Sequence, residues 1–187
     1  FSAAGDLLWT RSVGTFPPAT SVWVGAYAVD PAGQTYVLVQ ADVPGVPGTL
    51  LKLDGDGQEL WQRELPNQPI SMFDRYWLLI DASGDGVLFA GRAPADSDHY
   101  FRVARFAAAD GAMSWTHDFG ALSTSPMNLR APVFDGQGNV IVTHAEWSGA
   151  NQRDIAITKL SGSTGAVLWQ ATESTPLSDI PLSLQVN

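Results

Sequence analysis

The sequence predicts an all-β fold built from a repeated unit of short strands. The 187 residues include 18 glycines and 12 prolines, and 45% of the residues are hydrophobic. Frequent turn residues between apolar stretches are typical of many short strands. No stretch keeps an amphipathic period of 3.6 residues over three turns, so we expect little helix.

Four tryptophans define the repeat. Each follows a glycine by four positions, and successive tryptophans lie 52, 54 and 54 residues apart. The four copies of Gly-x-x-x-Trp begin at Gly5, Gly57, Gly111 and Gly165 and end at Trp9, Trp61, Trp115 and Trp169. A period of this size indicates a repeat architecture. Because a large aromatic side chain at a constant place in each repeat stabilises packing, we expect the four tryptophans to be buried between neighbouring units.

Two further landmarks recur between the tryptophans. An Asp-x-x-Gly turn begins at Asp30, Asp81 and Asp135, and each turn is followed by a β-rich stretch. Asp and Gly at these places are typical of a hairpin turn. A stretch of alternating apolar and polar residues then carries a basic residue, which is Lys52, Arg105 or Lys159. The alternation predicts a half-buried strand with the basic side chain on its outward face.

Each repeat therefore contains four predicted strands. In the first full repeat the strands are expected near 22–29, 34–41, 49–54 and 59–64, with turns at 30–33 and 55–57 and a longer loop at 42–48. A unit of about 50 residues with four antiparallel strands is typical of a β-propeller blade. The chain is predicted to be a single β-propeller segment over 1–187, with three full four-stranded blades and a partial blade at each end. The partial blades would supply a fourth strand at 7–13 and a first strand at 180–187.

Propellers usually close into a ring, which protects the edges of their sheets. Three and a half blades close poorly. We therefore expect the remainder of a longer propeller, or a second chain, to complete the ring, and we expect the segment alone to aggregate or self-associate.

The segment from Lys159 to Trp169 resembles the tryptophan-docking motif of PQQ-like propellers, in which a Thr-Gly turn, here Thr164-Gly165, precedes the tryptophan. The order of landmarks from Asp135 to Trp169 is also similar to SBBP-type repeats of bacterial surface proteins. This resemblance implies a secreted, periplasmic or surface-attached bacterial protein. Some PQQ-like members are quinoprotein dehydrogenases, and others are noncatalytic scaffolds such as the barrel-assembly lipoprotein of the bacterial outer membrane.

Composition excludes several classes of function. The formal charge is −9 with no basic cluster, which disfavours binding to nucleic acid or to anionic membranes. The absence of cysteine excludes disulfides and Cys-based zinc sites. No apolar run approaches the roughly 18 residues that a membrane-spanning helix needs.

The sequence predicts no catalytic residue, metal site or cofactor. The turn at 54–61 is similar to a sialidase Asp box, but its gap from Gly to Trp is one residue too long. The segment from Asp81 imitates the start of a calcium loop, but Arg92 stands where the last carboxylate ligand is expected. The histidines at 99, 117 and 144 have no metal-ligand spacing, and His117 is expected to face solvent.

The candidate binding site is a rim built from the loops at 92–100 and 146–153. Its residues depart from the repeat, so blade packing does not explain them. The candidates are Arg92, Asp96, Asp98, His99, Glu146, Trp147, Asn151 and Arg153. Trp147 is the predicted anchor; the alternative is that its ring folds onto its own blade.

These observations favour a noncatalytic propeller module that binds protein or glycan through its rim loops. The alternative is part of an enzymatic propeller, either a quinoprotein-like oxidoreductase or a glycan-active enzyme, with catalytic residues partly outside this segment.

Overall fold

The protein is an all-β chain, as predicted. The computed structural model describes residues 6–7, 9–12, 21–41, 46–65, 76–92, 101–119, 130–147, 153–173 and 184–185. Over these residues it contains twelve strands and no helix. The strands form three antiparallel sheets of four strands each, and the order of strands within each sheet follows the chain. This arrangement of successive four-stranded meanders is that of a β-propeller.

The strand bounds of sheet 1 agree closely with those predicted for the first full repeat. Sheet 1 contains β1 (Val22–Val29), β2 (Thr35–Ala41), β3 (Thr49–Leu53) and β4 (Glu59–Glu64). Sheet 2 contains β5 (Trp77–Ile80), β6 (Gly86–Arg92), β7 (Phe101–Ala107) and β8 (Met113–Phe119). Sheet 3 contains β9 (Val133–Phe134), β10 (Val140–Trp147), β11 (Arg153–Leu160) and β12 (Val167–Glu173). For the predicted end strands, the described residues at 7, 9–12, 184 and 185 carry no strand, and the other positions lie outside the described residues.

The Asp-x-x-Gly turns form the hairpins between the first two strands of each sheet. In sheet 1, the Asp30 carboxylate accepts hydrogen bonds from the backbone N–H groups of Ala32 and Gln34, at 3.0 and 2.8 Å. Gly33 closes the turn by donating to the Asp30 carbonyl and has a φ of 80°. The carboxylate satisfies the turn's backbone donors and glycine supplies the left-handed conformation, which is why this motif punctuates the sequence.

A register shift recurs between the third and fourth strands of every sheet. It falls immediately after the basic residue and leaves that residue paired with the repeat tryptophan. The resulting cross-strand pairs are Lys52 with Trp61, Arg105 with Trp115, and Lys159 with Trp169. Residues paired across antiparallel strands project from the same face, so each basic side chain shares a face with its tryptophan.

The prediction that the basic residue lies on the outward face is wrong for Lys52, which is only 7% exposed. Its ammonium group lies 5.1 Å from the centre of the Tyr36 ring and donates a 2.8 Å hydrogen bond to the carbonyl of Ala108 in sheet 2. The register shift places Lys52 beside Trp61, on the face that sheet 2 covers. Burial there lowers the pKa of Lys52.

Two apolar cores lie between successive sheets. The first contains Tyr36, Leu38, Leu50, Trp61, Leu65, Tyr76, Leu78, Ala104, Phe106 and Ala108. The second contains Phe101, Val103, Trp115, Phe119, Val140, Val142 and Leu160. Each core joins residues of one sheet to residues of the next, so consecutive sheets pack face to face.

Candidate functional site

The repeat tryptophans of sheets 1 and 2 each contact the next sheet. The contact is made with the turn between the third and fourth strands of that sheet. The Trp61 indole N–H donates to the Ala108 carbonyl at 3.0 Å, and its ring lies over Gly111. The Trp115 indole N–H donates in the same way to the Gly162 carbonyl at 2.9 Å, with its ring over Gly165. This contact uses the main chain of the receiving turn and the absence of a side chain at the glycine.

Trp9 makes an equivalent contact with sheet 1. Its indole N–H donates to the Gly55 carbonyl at 2.8 Å, and its ring lies over Gly57. The accepting carbonyl is two positions before the glycine here and three positions before it in the other turns. The receiving turn is one residue shorter, since Gly57 donates to the carbonyl of Asp54, whereas Gly111 donates to that of Ala107.

The basic residue of the same sheet reaches the same carbonyl. Lys52 donates to the Ala108 carbonyl, and Arg105 donates to the Gly162 carbonyl at 2.6 Å. Arg105 also forms an ion pair with Asp81. We call the tryptophan, the basic residue, the shared carbonyl and the glycine an inter-sheet clamp. The clamp occurs between sheets 1 and 2 and between sheets 2 and 3.

In sheet 3, Lys159 and Trp169 occupy the positions of the basic residue and the tryptophan that donate hydrogen bonds in the two clamps. Lys159 lies 2.6 Å from the Asp135 carboxylate, and its hydrogen bond, together with donors from Asn139 and the backbone of Gln137, holds the pKa of Asp135 well below its usual range. The prediction that Trp169 is buried is wrong, because it is 43% exposed whereas Trp61 and Trp115 are each 7% exposed.

The predicted rim residues lie partly in strands. Arg92 ends β6, Glu146 and Trp147 end β10, and Arg153 begins β11. Backbone register pairs Trp147 with Arg153 and Glu146 with Asp154. The remaining candidates lie outside the described residues: Asp96, Asp98, His99 and Asn151.

The rim ends of sheets 2 and 3 lie side by side. The Phe119 ring, at the end of β8, lies 4.8 Å from the His144 ring in β10 and 5.7 Å from the Phe101 ring in β7, measured between ring centres. Phe101 directly follows the loop at 93–100, and His144 lies just before the loop at 148–152. Phe119 therefore links β7 and β10, the strands that adjoin the two predicted binding loops in the chain.

Two histidines of this region, His117 and His144, were not among the predicted site residues, although the rings of both contact the Phe119 ring. His117 is half-buried with its ring centre 4.7 Å from that of Phe119, so the prediction that it faces solvent is wrong. His144 is a strand residue and 1% exposed. The position two residues after the repeat tryptophan is Arg63 in sheet 1 and Ala171 in sheet 3, and this departure at His117 was the available signal. No group of three or more metal-ligating side chains occurs among the described residues.

An ion pair braces the start of β7 beside the predicted loop. Arg102 makes two hydrogen bonds to the Asp118 carboxylate, at 2.6 and 2.7 Å. Donation of these hydrogen bonds to Asp118 raises the pKa of Arg102. The strand that leaves the loop is thus fixed by a two-pronged contact to its neighbour, a geometry that arginine favours.

Successive four-stranded sheets joined by tryptophan clamps define a PQQ-like β-propeller protein. A family model described as "Outer membrane protein assembly factor BamB" matches residues 1–183, and the chain belongs to that family. None of the curated proteins matches the chain. The described residues contain no helix with the length and hydropathy needed to cross a membrane.

Two of the solved structures that are similar to the chain illustrate the likeness. One is titled as a crystal structure of the eukaryotic initiation factor, with 12% identity and a TM-score of 0.53, and the match covers 80% of this chain and 32% of that one. The other is quinohemoprotein alcohol dehydrogenase ADHIIG from Pseudomonas putida HK5, with 9% identity and a TM-score of 0.43, covering 80% of this chain and 36% of that one. The chain thus spans about a third of each.

Proposed function

We propose that this chain is a noncatalytic propeller scaffold that binds a protein partner outside the cytoplasm. The binding surface is the rim formed by the loops at 93–100 and 148–152 with the strand ends that carry them. The description of the family as an assembly factor for outer membrane proteins supports a protein partner and an extracytoplasmic location.

The observation that carries this proposal is the contact between Phe119 and His144. It joins β8 of sheet 2 to β10 of sheet 3, and this packing of neighbouring sheets supports a binding surface shared between them. Loops held by a packed scaffold are the usual carriers of binding residues. The formal charge of −9 favours a neutral or basic partner over a polyanion.

Site-specific photocrosslinking tests the location of the surface. A crosslinking amino acid placed at Ser97 or Ser148 should capture a protein partner in the cell envelope of the source organism. The same amino acid at Ser83 or Gln137, in turns at the opposite ends of the strands, is the matched control. Equal capture from all four positions would contradict a rim-specific surface.

Substitution of the predicted anchor tests affinity. Trp147→Ala should weaken binding of the captured partner by about 30-fold or more, as for an interface hot spot of roughly 2 kcal/mol, while the free energy of unfolding changes little. Loss of stability without loss of affinity would assign Trp147 to packing. Binding in a glycan array with no protein partner would favour the glycan ligand. The alternative of an enzymatic propeller stays a prediction.

A further inference from the structure

A histidine is buried between sheets 2 and 3. His144 lies in β10, is 1% exposed, and has its ring centre 4.8 Å from that of Phe119 in β8. Alternation places it on the same face of β10 as Val142, which belongs to the second apolar core. By strand pairing, the equivalent residues are Val39 in sheet 1 and Gly91 in sheet 2. Packing of the repeat therefore does not require a histidine at this position.

The contact at Phe119 includes a second imidazole. The ring of His117, which is half-buried in the same strand, lies 4.7 Å from that of Phe119 between ring centres. Phe119 is 7% exposed, and Phe101 beside it is fully buried. An imidazole is neutral above about pH 6.5 and gains a positive charge below it. This contact between the two sheets therefore contains groups that change charge in an ordinary range of pH.

The other contact between sheets 2 and 3 contains no such group. Trp115 and Arg105 both donate hydrogen bonds to the Gly162 carbonyl. Neither an indole nor a guanidinium changes its charge between about pH 5 and 8. Trp115 and Phe119 both lie in β8, about 13 Å apart along an extended strand. The two sheets are thus joined at two separate levels, and one of them responds to pH.

Strand register places charged positions around His144 on both sheets. In the described strands these positions are Glu146 and Asp154 on sheet 3, and Arg92, Arg105 and His117 on sheet 2. Arg105 is paired with Asp81. The remaining two acidic and two basic positions offset one another, so burial decides which charge state of His144 the interface favours. Burial opposes the charged imidazole, whereas an opened interface lets water solvate it.

We propose that His144 is a pH-sensitive contact between sheets 2 and 3: the neutral ring keeps the sheets packed at Phe119, and its protonation separates them there while the clamp at Gly162 holds. The opened state binds the extra proton, so the closed interface is stable above about pH 6.5 and weakens as the pH falls below it. The proposal concerns the packing of two sheets and does not rest on the proposed binding function.

Hydrogen exchange of the wild-type protein tests the proposal. A proton bound only by the opened state, with an ordinary histidine pKa, raises the opening constant by about 10-fold between pH 7.5 and pH 5.5. After correction for intrinsic rates, amides of β8 and β10 should therefore exchange about 10-fold faster at the lower pH. Amides of β2 and β3 in sheet 1 are the internal control and should not respond. An equal response in sheet 1, or slower exchange of β8 and β10 in acid, would overturn the proposal.

Substitution of the histidine identifies the group responsible. His144→Val introduces the residue that sheet 1 carries at this position and should abolish the effect of pH on exchange in β8 and β10. Thr143→Val is the matched control, because Thr143 is 3% exposed, lies next to His144 on the other face of β10 and does not titrate. This control should keep the full effect. Circular dichroism checks that each variant is folded, and His144→Gln replaces His144→Val if that variant is not. An effect of pH that persists without His144 would refute the assignment.

Discussion

Glycine at position 111 is required for two separate reasons. Its φ is 71°, a conformation that costs other residues about 1–2 kcal/mol. A Cβ atom there would also lie 2.7 Å from Cε3 of Trp61, closer than atoms can approach without movement. Gly33 has a similar φ of 80°, but a Cβ atom there would meet nothing within 4 Å. The two positions therefore separate backbone strain from loss of the tryptophan contact.

Gly111→Ala should lower the free energy of unfolding by about 2–5 kcal/mol, since it adds overpacking against Trp61 to the strain of the turn. Gly33→Ala should lower it by about 1–2 kcal/mol, from strain alone. Urea unfolding followed by fluorescence measures both values. Equal losses would show that the space beneath the indole ring does not matter.

The ion pair of Asp135 with Lys159 predicts how the free energy of unfolding depends on pH in acid. Because the hydrogen bond from Lys159 lowers the pKa of Asp135 in the folded protein, its contribution to stability is present above the unfolded pKa of about 4 and is lost as the pH falls below it. Lys159→Met should therefore reduce the dependence of the free energy of unfolding on pH between pH 5 and the acid limit. Asp110→Asn, in an exposed turn, serves as the control. An unchanged acid slope in Lys159→Met would contradict the prediction.

The fourth strand of each sheet carries the repeat tryptophan, but the burial of that tryptophan differs among the three sheets. Trp61 in β4 and Trp115 in β8 lie in cores between sheets, whereas Trp169 in β12 is substantially exposed. All three occupy the same place in the repeat and pair with the same kind of basic residue. Trp61 and Trp115 each lie over the glycine of a turn in the next sheet and donate a hydrogen bond to a carbonyl of that turn.

Trp61→Ala should lower the free energy of unfolding by about 3–5 kcal/mol, the usual cost of deleting a large buried aromatic side chain. Trp169→Ala should cost less than Trp61→Ala, because 43% of Trp169 is already exposed whereas Trp61 is 7% exposed. Thermal or urea unfolding at low protein concentration compares them. Similar losses for both variants would mean that Trp169 packs within its own sheet.

The strands, turns and repeat were predictable from the sequence because each depends on local residue chemistry. The Asp-x-x-Gly residues determine the turn in which they lie, and the alternation around Lys52 determines the strand that contains it. The direction of the Lys52 side chain was not predictable, since it depends on a one-residue register shift that no composition signal marks. Alternation in β8 places His117 on the same face as Trp115 and Phe119, so the sequence contained a signal for the contact of His117 with Phe119 that the prediction of a solvent-facing His117 did not use.

Over the whole molecule, acidic charge predicts how a partner approaches. With a formal charge of −9, a basic partner would be attracted over distances set by ionic strength. Raising the salt from about 0.1 M to about 1 M shortens the screening length from about 10 Å to about 3 Å.

The association rate of the rim partner should fall over that range, as measured by stopped-flow mixing. Trp147→Ala should instead raise the dissociation rate and leave the salt dependence of association unchanged. An association rate that is insensitive to salt would point to a neutral partner.

The turns that receive the tryptophan and the basic side chain limit which positions of a blade must be kept as its sequence changes. What accepts the indole and the basic side chain is a main-chain carbonyl, at Ala108 in one turn and at Gly162 in the other. A main-chain acceptor is present whatever side chain its residue carries, so the hydrogen bonds of this contact do not specify a side chain in the receiving turn. A newly duplicated blade would carry both the tryptophan and the receiving turn, so it could pack against its neighbour without further substitutions. Copies of a blade can therefore diverge at positions outside the apolar core, the tryptophan, the basic residue and the glycine of the turn while still packing against one another.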